Sequence, residues 1–139
     1  MANAENASEQ VVRSFFEKGL NSDNLETIRA FFHPDATWTP VTHATTKIPG
    51  VGVHRGRKEI VDEFLGPVRG LFVDGDPQLE ITSLIGKGNM VAVETHGTGT
   101  FRSGKAYDNR YAWIVEVKDN MIFAIREYMD TAYIQSITS

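Results

Sequence analysis

Three clusters of turn-forming residues divide the second half of the chain into long segments that must pair with their neighbours in sequence. The clusters are 86–89, 102–105 and 118–120. Between them, apolar and polar side chains alternate, as they do from Leu79 to Ile85, which is typical of half-buried strands. The segments 79–85, 90–101, 106–117 and 121–130 are therefore predicted to form a β-meander.

The first half of the chain has apolar residues at helical spacing instead. Two helices are predicted between Ser8 and His33, and a third after Gly56. A short strand at 36–41 and a loop at 42–53 separate the second helix from the third. A loop of this length in a small domain often forms a lid or a pocket rim. We expect tails at 1–7, which would be flexible, and at 131–139.

The order α-α-β-α-β-β-β-β predicts an α+β fold in one domain that spans residues 1–139. Long twisted strands would curve into a cone-shaped antiparallel sheet, with three helices packed on its concave face. Such packing leaves a cavity between the sheet and the helices, where small molecules commonly bind.

Composition and charge exclude several classes of function. The net charge of −4 and the scattered Lys and Arg residues argue against a nucleic-acid partner. The absence of cysteine excludes disulfides and thiolate sites. No apolar run resembles a membrane span or a secretory signal, so we expect a cytoplasmic protein without a membrane partner. No histidine pair has metal-ligand spacing, and we expect neither a metal nor a cofactor.

Three segments carry a resemblance to a known superfamily. They are 31–38 (FFHPDATW), 53–60 (VHRGRKEI), and the pair 107–113 (YDNRYAW) with 126–131 (REYMDT). The chain resembles the nuclear-transport-factor-two-like superfamily, in its SnoaL-like and ketosteroid-isomerase-like branch. The resemblance implies the cone-shaped fold, a pocket for a small apolar oxygenated ligand, and a homodimer through the outer sheet face. It does not fix the function, because this superfamily includes both enzymes and non-enzymes.

Asp130 and Arg110 are the catalytic residues that the resemblance implies. The last strand ends in Glu127-Tyr128-Met129-Asp130, which is similar to a run in limonene-epoxide hydrolases whose Asp reaches into the pocket. A carboxylate in an apolar cavity has a raised pKa and becomes a useful general acid or base. Arg110 would lie on the cavity face of its strand and orient Asp130 or stabilise negative charge.

Each of these two assignments has an alternative. Asp130 is also a good N-cap for the C-terminal segment. Arg110 is also suited to an exposed cross-strand pair with Glu127 or Glu94.

Four further residues are candidates for substrate binding. Trp38 would form a pocket wall, His43 and His54 would overhang the pocket mouth, and Tyr128 would donate a hydrogen bond from the same face as Asp130. The alternatives are core packing for the two aromatic residues and simple solvent exposure for the two histidines.

Three functions remain open on this basis. The first is a cofactor-free acid/base enzyme of the isomerase, cyclase, dehydratase or epoxide hydrolase type. The second is a non-catalytic binder or carrier of a small molecule. The third is a protein-interaction module that uses the outer sheet face, where Tyr111, Trp113 and Val115 are expected because they alternate with Arg110. The first strand lacks the carboxylate of ketosteroid isomerase, and 95–97 lacks the Arg-x-Asp pair of the epoxide hydrolases.

Overall fold

The helices lie before the long strands, with one more at the C-terminal end, in a computed structural model that describes residues 4–138. They are α1 (Ala7–Ser14), α2 (Leu25–Arg29), α3 (Gly66–Arg69) and α4 (Thr131–Thr138). A π-helical segment, Phe15–Leu20, extends α1, and another, Glu59–Leu65, precedes α3.

Six strands form one open, curved sheet. They are β1 (Phe32–Pro40), β2 (His54–Arg55), β3 (Gln78–Lys87), β4 (Met90–Thr100), β5 (Ala106–Lys118) and β6 (Met121–Met129). Their order in the sheet is β2-β1-β6-β5-β4-β3. The α+β class and the curved sheet with helices on one face are thus confirmed.

The sheet is mixed, whereas a purely antiparallel sheet was predicted. β1 pairs with β6 in parallel, and the other neighbours are antiparallel. Tight turns force β3, β4, β5 and β6 to alternate in direction. No tight turn connects β1 with β6, so turn signals in the sequence do not determine their relative direction.

Both ends of the described chain contain more regular structure than predicted. Asn6 and Glu9 form a capping box at the start of α1, with hydrogen bonds of 2.8 and 2.9 Å between their side chains and backbone amides. Residues 1–3 of the predicted flexible tail lie outside the described residues. The predicted C-terminal tail forms α4.

An aromatic cluster fills the space between the helices and the concave face of the sheet. Trp113 of β5 makes edge-to-face contacts with Phe16 and with Trp38 of β1, at centroid distances of 5.1 and 5.6 Å. The indole nitrogen of Trp113 donates to Oγ1 of Thr95 at 2.9 Å, so this buried donor is satisfied. This cluster supports the inner wall of the cavity described below.

Asn21 attaches the end of the first helical unit to the edge strand β3. Its Nδ2 donates to the carbonyl of Leu79 at 2.8 Å, and its Oδ1 accepts from the amide of Leu79 at 2.7 Å. The side-chain amide thus pairs with the free edge of β3 as the backbone of a further strand would.

We expect Asn21→Ala to lower the free energy of unfolding by about 1–3 kcal/mol, because both backbone groups of Leu79 lose their partner. Urea denaturation would measure this change. Asn89→Ala, in the exposed turn between β3 and β4, is the matched control and should change stability by less than about 0.5 kcal/mol. Equal midpoints for the two variants would contradict the proposed attachment.

Candidate functional site

A mostly apolar cavity lies between the concave face of the sheet and the helical unit that ends in α3. It comprises two neighbouring lobes that share five lining residues. The outer lobe, of about 90 Å³, is lined by Ile48, Phe72, Phe101, Tyr107, Met129 and Ile134 among others. The inner lobe, of about 80 Å³, is lined by Leu20, Trp38, Leu65, Arg69, Leu79 and Trp113 among others. Phe64, Val68, Pro77, Tyr111 and Glu127 line both lobes.

The size of the cavity suits a small ligand. A cavity needs roughly 10–15 Å³ to hold one buried water. Each lobe therefore has room for several waters or for part of a small organic molecule. The loop 42–53 contributes Ile48 to the rim, and α4 contributes Ile134. The loop is therefore part of the pocket rim.

Glu127 of β6 is the carboxylate that lies in the cavity. Its side chain is on the concave face, and the residue is only 7% exposed. The indole nitrogen of Trp38 donates to its Oε1 at 2.9 Å. Within residues 4–138, no other side chain or backbone amide donates to this carboxylate and no cation pairs with it, so Oε2 remains for a ligand.

Burial raises the pKa of Glu127 to about 7, and the hydrogen bond from Trp38 only partly opposes this effect. Desolvation destabilises the charged form of a carboxyl group, and no positive charge lies close enough to compensate. At neutral pH the protonated and ionised forms are both populated. The group can therefore accept or donate a proton, as a general acid or base must.

A pair of tyrosine hydroxyls provides the second polar feature of the cavity. Tyr107 and Tyr111 hydrogen-bond to each other through their hydroxyl groups. Asn109 is oriented by the backbone amide of Arg110, which donates to its Oδ1 at 2.9 Å, and its Nδ2 donates to the Tyr107 hydroxyl at 3.3 Å. One hydroxyl hydrogen joins the two tyrosines, so the other is available to an acceptor in the cavity.

Both tyrosines remain protonated at neutral pH. Burial raises the pKa of Tyr107 to about 12, and it raises the pKa of Tyr111 well above its usual value. The pair is therefore a hydrogen-bond donor and not a base. It lies in the same cavity as a carboxyl group that can ionise.

The structure places Asp130 and Arg110 outside the cavity. Asp130 is exposed, and its Oδ1 accepts from the amide of Tyr133 at 3.0 Å, which is the N-cap arrangement at the start of α4. Arg110 is exposed on the outer face of the sheet, opposite His96. The predicted position of both side chains on the cavity face is wrong, because β5 and β6 present their other face to the helices.

Two of the four substrate-binding candidates are associated with the cavity. Trp38 lines the inner lobe and donates to Glu127. The imidazole of His54 stacks on the ring of Phe64, with ring centroids 4.1 Å apart. Phe64 itself lines both lobes. A contact of 2.8 Å between Nε2 of His54 and the carbonyl of Gly50 ties the imidazole to the loop 42–53.

The other two candidates lie elsewhere. His43 is exposed, and its Nδ1 lies 2.8 Å from Oγ1 of Thr45 in the loop. Tyr128 is 41% exposed on the outer sheet face. Tyr111, Trp113 and Val115 were expected on the outer face, and this expectation is wrong. All three lie on the face of β5 that packs against the helices.

Sequence reasoning missed Glu127, Tyr107 and Tyr111 as residues of the site. The signal that identifies them is the alternation of buried and more exposed residues along β4, whose buried positions include Val93 and Thr95. In an antiparallel pair, residues directly opposite each other share a face. Tyr111 is opposite Thr95, so the correct strand register places it in the cavity.

The family follows from comparison of the sequence with known protein families. Residues 12–125 match the model of the SnoaL-like domain. The chain belongs to the SnoaL-like domain family. No curated protein matches this SnoaL-like chain by sequence.

Solved structures show the same fold at low sequence identity. TerC, co-crystallised with polyporic acid, has a TM-score of 0.80 and 20% identity over 95% of this chain and 98% of its own. An NTF2-like protein of unknown function from Burkholderia pseudomallei has a TM-score of 0.81 and 20% identity over 97% and 100%. A hypothetical protein from Catenulispora acidiphila with a ketosteroid isomerase-like fold, in complex with trimethylamine, has a TM-score of 0.74 and 15% identity over 91% and 90%.

The described part of this SnoaL-like domain offers neither a metal-binding cluster nor a membrane-spanning helix. Residues 4–138 contain no group of three or more acidic or histidine side chains placed to hold a metal ion. In the same part of the chain, every helix is too short or too polar to cross a membrane.

The raised pKa of Glu127 makes a specific prediction for stability against pH. Between about pH 4.5 and 7 the folded state keeps the Glu127 proton while the unfolded chain loses it, so rising pH removes stability over this window. The loss is on the order of 3 kcal/mol and levels off above the folded pKa. Glu127→Gln does not titrate, so we expect its stability relative to the wild type to rise by this amount from pH 4.5 to 8.

Urea denaturation at a series of pH values would measure this difference. Asp130→Asn is the control, because it removes an exposed carboxylate three residues away and should follow the wild-type profile over the same window. Parallel profiles for the wild type and Glu127→Gln would show that Glu127 is not a buried, unpaired carboxyl group.

Proposed function

We propose that this protein is a cofactor-free enzyme that transfers protons on a small, apolar, oxygenated molecule, with Glu127 as the general base and acid. The observation that carries the proposal is the position of Glu127. It is a buried carboxyl group that lines both lobes, and it accepts a hydrogen bond from Trp38 at one oxygen only. Such perturbed groups in clefts are more common at functional sites than elsewhere.

The two polar features of the cavity suit the two halves of a proton transfer. Ionised Glu127 would take a proton from a carbon or hydroxyl of the ligand. The negative charge that develops on a ligand oxygen would be stabilised by the free hydroxyl hydrogen of the Tyr107–Tyr111 pair. Protonated Glu127 would then return the proton at another position. Isomerisation consists of these two transfers. In a dehydration the returned proton would go to the hydroxyl that leaves as water, and in an aldol-type cyclisation the carbanion would attack a carbonyl of the ligand and the returned proton would go to the resulting alkoxide.

Two structures of the same fold were solved with a small molecule, which supports a small-molecule ligand for this protein. TerC was co-crystallised with polyporic acid, and the Catenulispora acidiphila protein is in complex with trimethylamine. A non-catalytic carrier would need the same apolar cavity but no titrating carboxyl group. The experiment that tests the proposal must therefore separate binding from turnover.

A two-stage experiment makes this separation. Thermal denaturation with terpenoid epoxides, steroids, aromatic ketones and polyketide-like phenols would identify a stabilising class, and turnover of that class would then be assayed. We expect Glu127→Gln to retain binding but to lower turnover by about 10²–10⁴-fold, the usual contribution of a general acid or base. Asp130→Asn is the matched control and should retain the wild-type rate.

Two outcomes would contradict the proposal in different ways. Binding without turnover by the wild type would favour the carrier. Loss of turnover in Asp130→Asn with normal turnover in Glu127→Gln would return the catalytic role to the residue that the sequence resemblance implied.

We also propose a homodimer through the outer sheet face. Tyr128 of β6 is 41% exposed on this face. It is paired with Ala112 of β5, and Ile114 lies two residues further along β5 on the same face. A small apolar group on an open sheet suits the self-complementary contact of a two-fold dimer.

Light scattering at micromolar concentration would test this assembly. We expect a dimer for the wild type and a shift toward monomer for Tyr128→Lys, because the added charge would be buried at the contact. Val53→Lys is the control, since it places the same charge on an exposed apolar residue in the loop 42–53. A monomeric wild type would refute the dimer.

A further inference from the structure

Arg69 of α3 is the cationic residue that lines the inner lobe. Its Nη1 donates to the carbonyl of Leu20 at 2.8 Å and its Nη2 to the carbonyl of Ser22 at 2.5 Å. The residue is half-buried and lines the inner lobe together with Glu127 and the two tryptophans. A guanidinium group has five N–H donors, so donors remain beyond the two carbonyl contacts.

No carboxylate neutralises this guanidinium group. Within residues 4–138, no acidic side chain lies within 4.0 Å of the Arg69 nitrogens. Burial lowers the pKa of Arg69, and the more distant charge of Asp23 partly opposes this effect. The group is still charged at neutral pH, because arginine has a very high intrinsic pKa. It is thus a partly desolvated cation without a carboxylate in direct contact among the described residues.

Arg69 also borders a polar cleft on the surface that is lined by Asp23, Asp74 and Asp76, but none of these carboxylates lies within 4.0 Å of its guanidinium group. Asp74 pairs with Arg102 at 2.6 Å, and Asp76 accepts from the amide of Thr100 at 2.9 Å. Asp23 acts on Arg69 only as a more distant charge, so the cleft supplies no direct ion-pair partner for the guanidinium group.

Glu127 is not a direct ion-pair partner either. The two residues line the same lobe, yet no ion pair joins them, and the pKa of Glu127 is governed by burial and by Trp38 alone. A contact with a guanidinium group would instead lower that pKa. The cation and the carboxyl group therefore lie at separate positions in one apolar lobe.

We propose that Arg69 binds a carboxylate on the ligand, so that the substrate class is a small apolar carboxylic acid whose reacting part lies at Glu127. This inference rests on the proposed function and names the substrate class for that site. The planar fork of a guanidinium group matches a carboxylate, and their charge-assisted hydrogen bonds are stronger than neutral ones. The carboxylate would anchor one end of the ligand, and the apolar walls of the two lobes would hold the rest.

Arg69 also has a structural role, since it bonds to the carbonyls of Leu20 and Ser22. A test must therefore read out something that a purely structural residue does not change. The preference for a carboxylate over a neutral amide of the same shape is such a quantity.

Isothermal titration calorimetry with 2-naphthoate and 2-naphthamide would measure this preference. A buffer at pH 6 keeps Glu127 mainly protonated, so that its charge does not oppose the anion. We expect the wild type to bind the carboxylate about 10–100-fold more tightly than the amide, the range for hydrogen bonds to a charged group. Arg69→Gln should abolish the difference while it keeps the affinity for the amide, and Arg69→Lys should retain part of it.

Arg102→Gln is the control, because Arg102 is an exposed cation at the same surface cleft that does not line the inner lobe. It should leave the preference unchanged. An equal preference in the wild type and Arg69→Gln, or no preference in the wild type, would overturn the proposal. The preserved affinity for the amide shows that a variant is folded.

This result is separable from the test of catalysis. A neutral ligand that is turned over with dependence on Glu127, without any preference for carboxylates, would overturn the substrate class and leave the proposed function intact. A preference that depends on Arg69 without turnover would support an anion-binding cavity and overturn the enzyme.

Discussion

The register of β5 between β4 and β6 determines which side chains enter the cavity. Opposed residues in antiparallel strands point to the same face of the sheet. One row across the three strands consists of Val93, Trp113 and Glu127, and the next consists of Thr95, Tyr111 and Met129. These two rows supply the aromatic wall, the carboxyl group and one of the tyrosine hydroxyls. A shift of β5 by one residue would replace Trp113 and Tyr111 with their neighbours from the outer face.

The loop that connects β4 with β5 fixes this register, and it explains what the sequence could and could not predict. The predicted turn 102–105 would pair Phe101 with Ala106. In the structure, the amide of Phe101 donates to the carbonyl of Lys105 at 2.9 Å, which leaves a three-residue loop. Gly104 in this loop adopts φ 96°, the left-handed conformation typical of three-residue hairpin loops. Helices, strands and the cavity were predictable, because periodic patterns tolerate an error of one residue. An error of one residue in the register does change which side chains of β5 and β6 lie on the cavity face. Residues of the outer face were therefore assigned to the site from the sequence.

Burial of Glu127 opposes folding at neutral pH, and the surrounding core offsets this cost. The carboxyl group has one hydrogen bond, from Trp38, and no counter-ion among the described residues. Trp38 is in turn held by edge-to-face contacts with Phe64 and Trp113, at centroid distances of 5.3 and 5.6 Å. A neutral side chain at position 127 would make a more stable core at pH 7. A group that reduces stability in this way is easier to explain by chemistry in the cavity than by packing.

The separation of Arg69 from Glu127 is what allows both residues to act on one ligand. Direct contact would hold Glu127 as a permanent carboxylate with a low pKa, and the guanidinium group would no longer be available to an anion. Because the two groups lie apart in an apolar lobe, burial keeps the pKa of Glu127 at about 7. A carboxylate bound at Arg69 would neutralise the only cation in the lobe, among the residues described, and would leave Glu127 in still less polar surroundings. Ligand binding would then raise the pKa of Glu127 further, so that its ionised form is a stronger base in the first proton transfer and its protonated form returns the proton in the second.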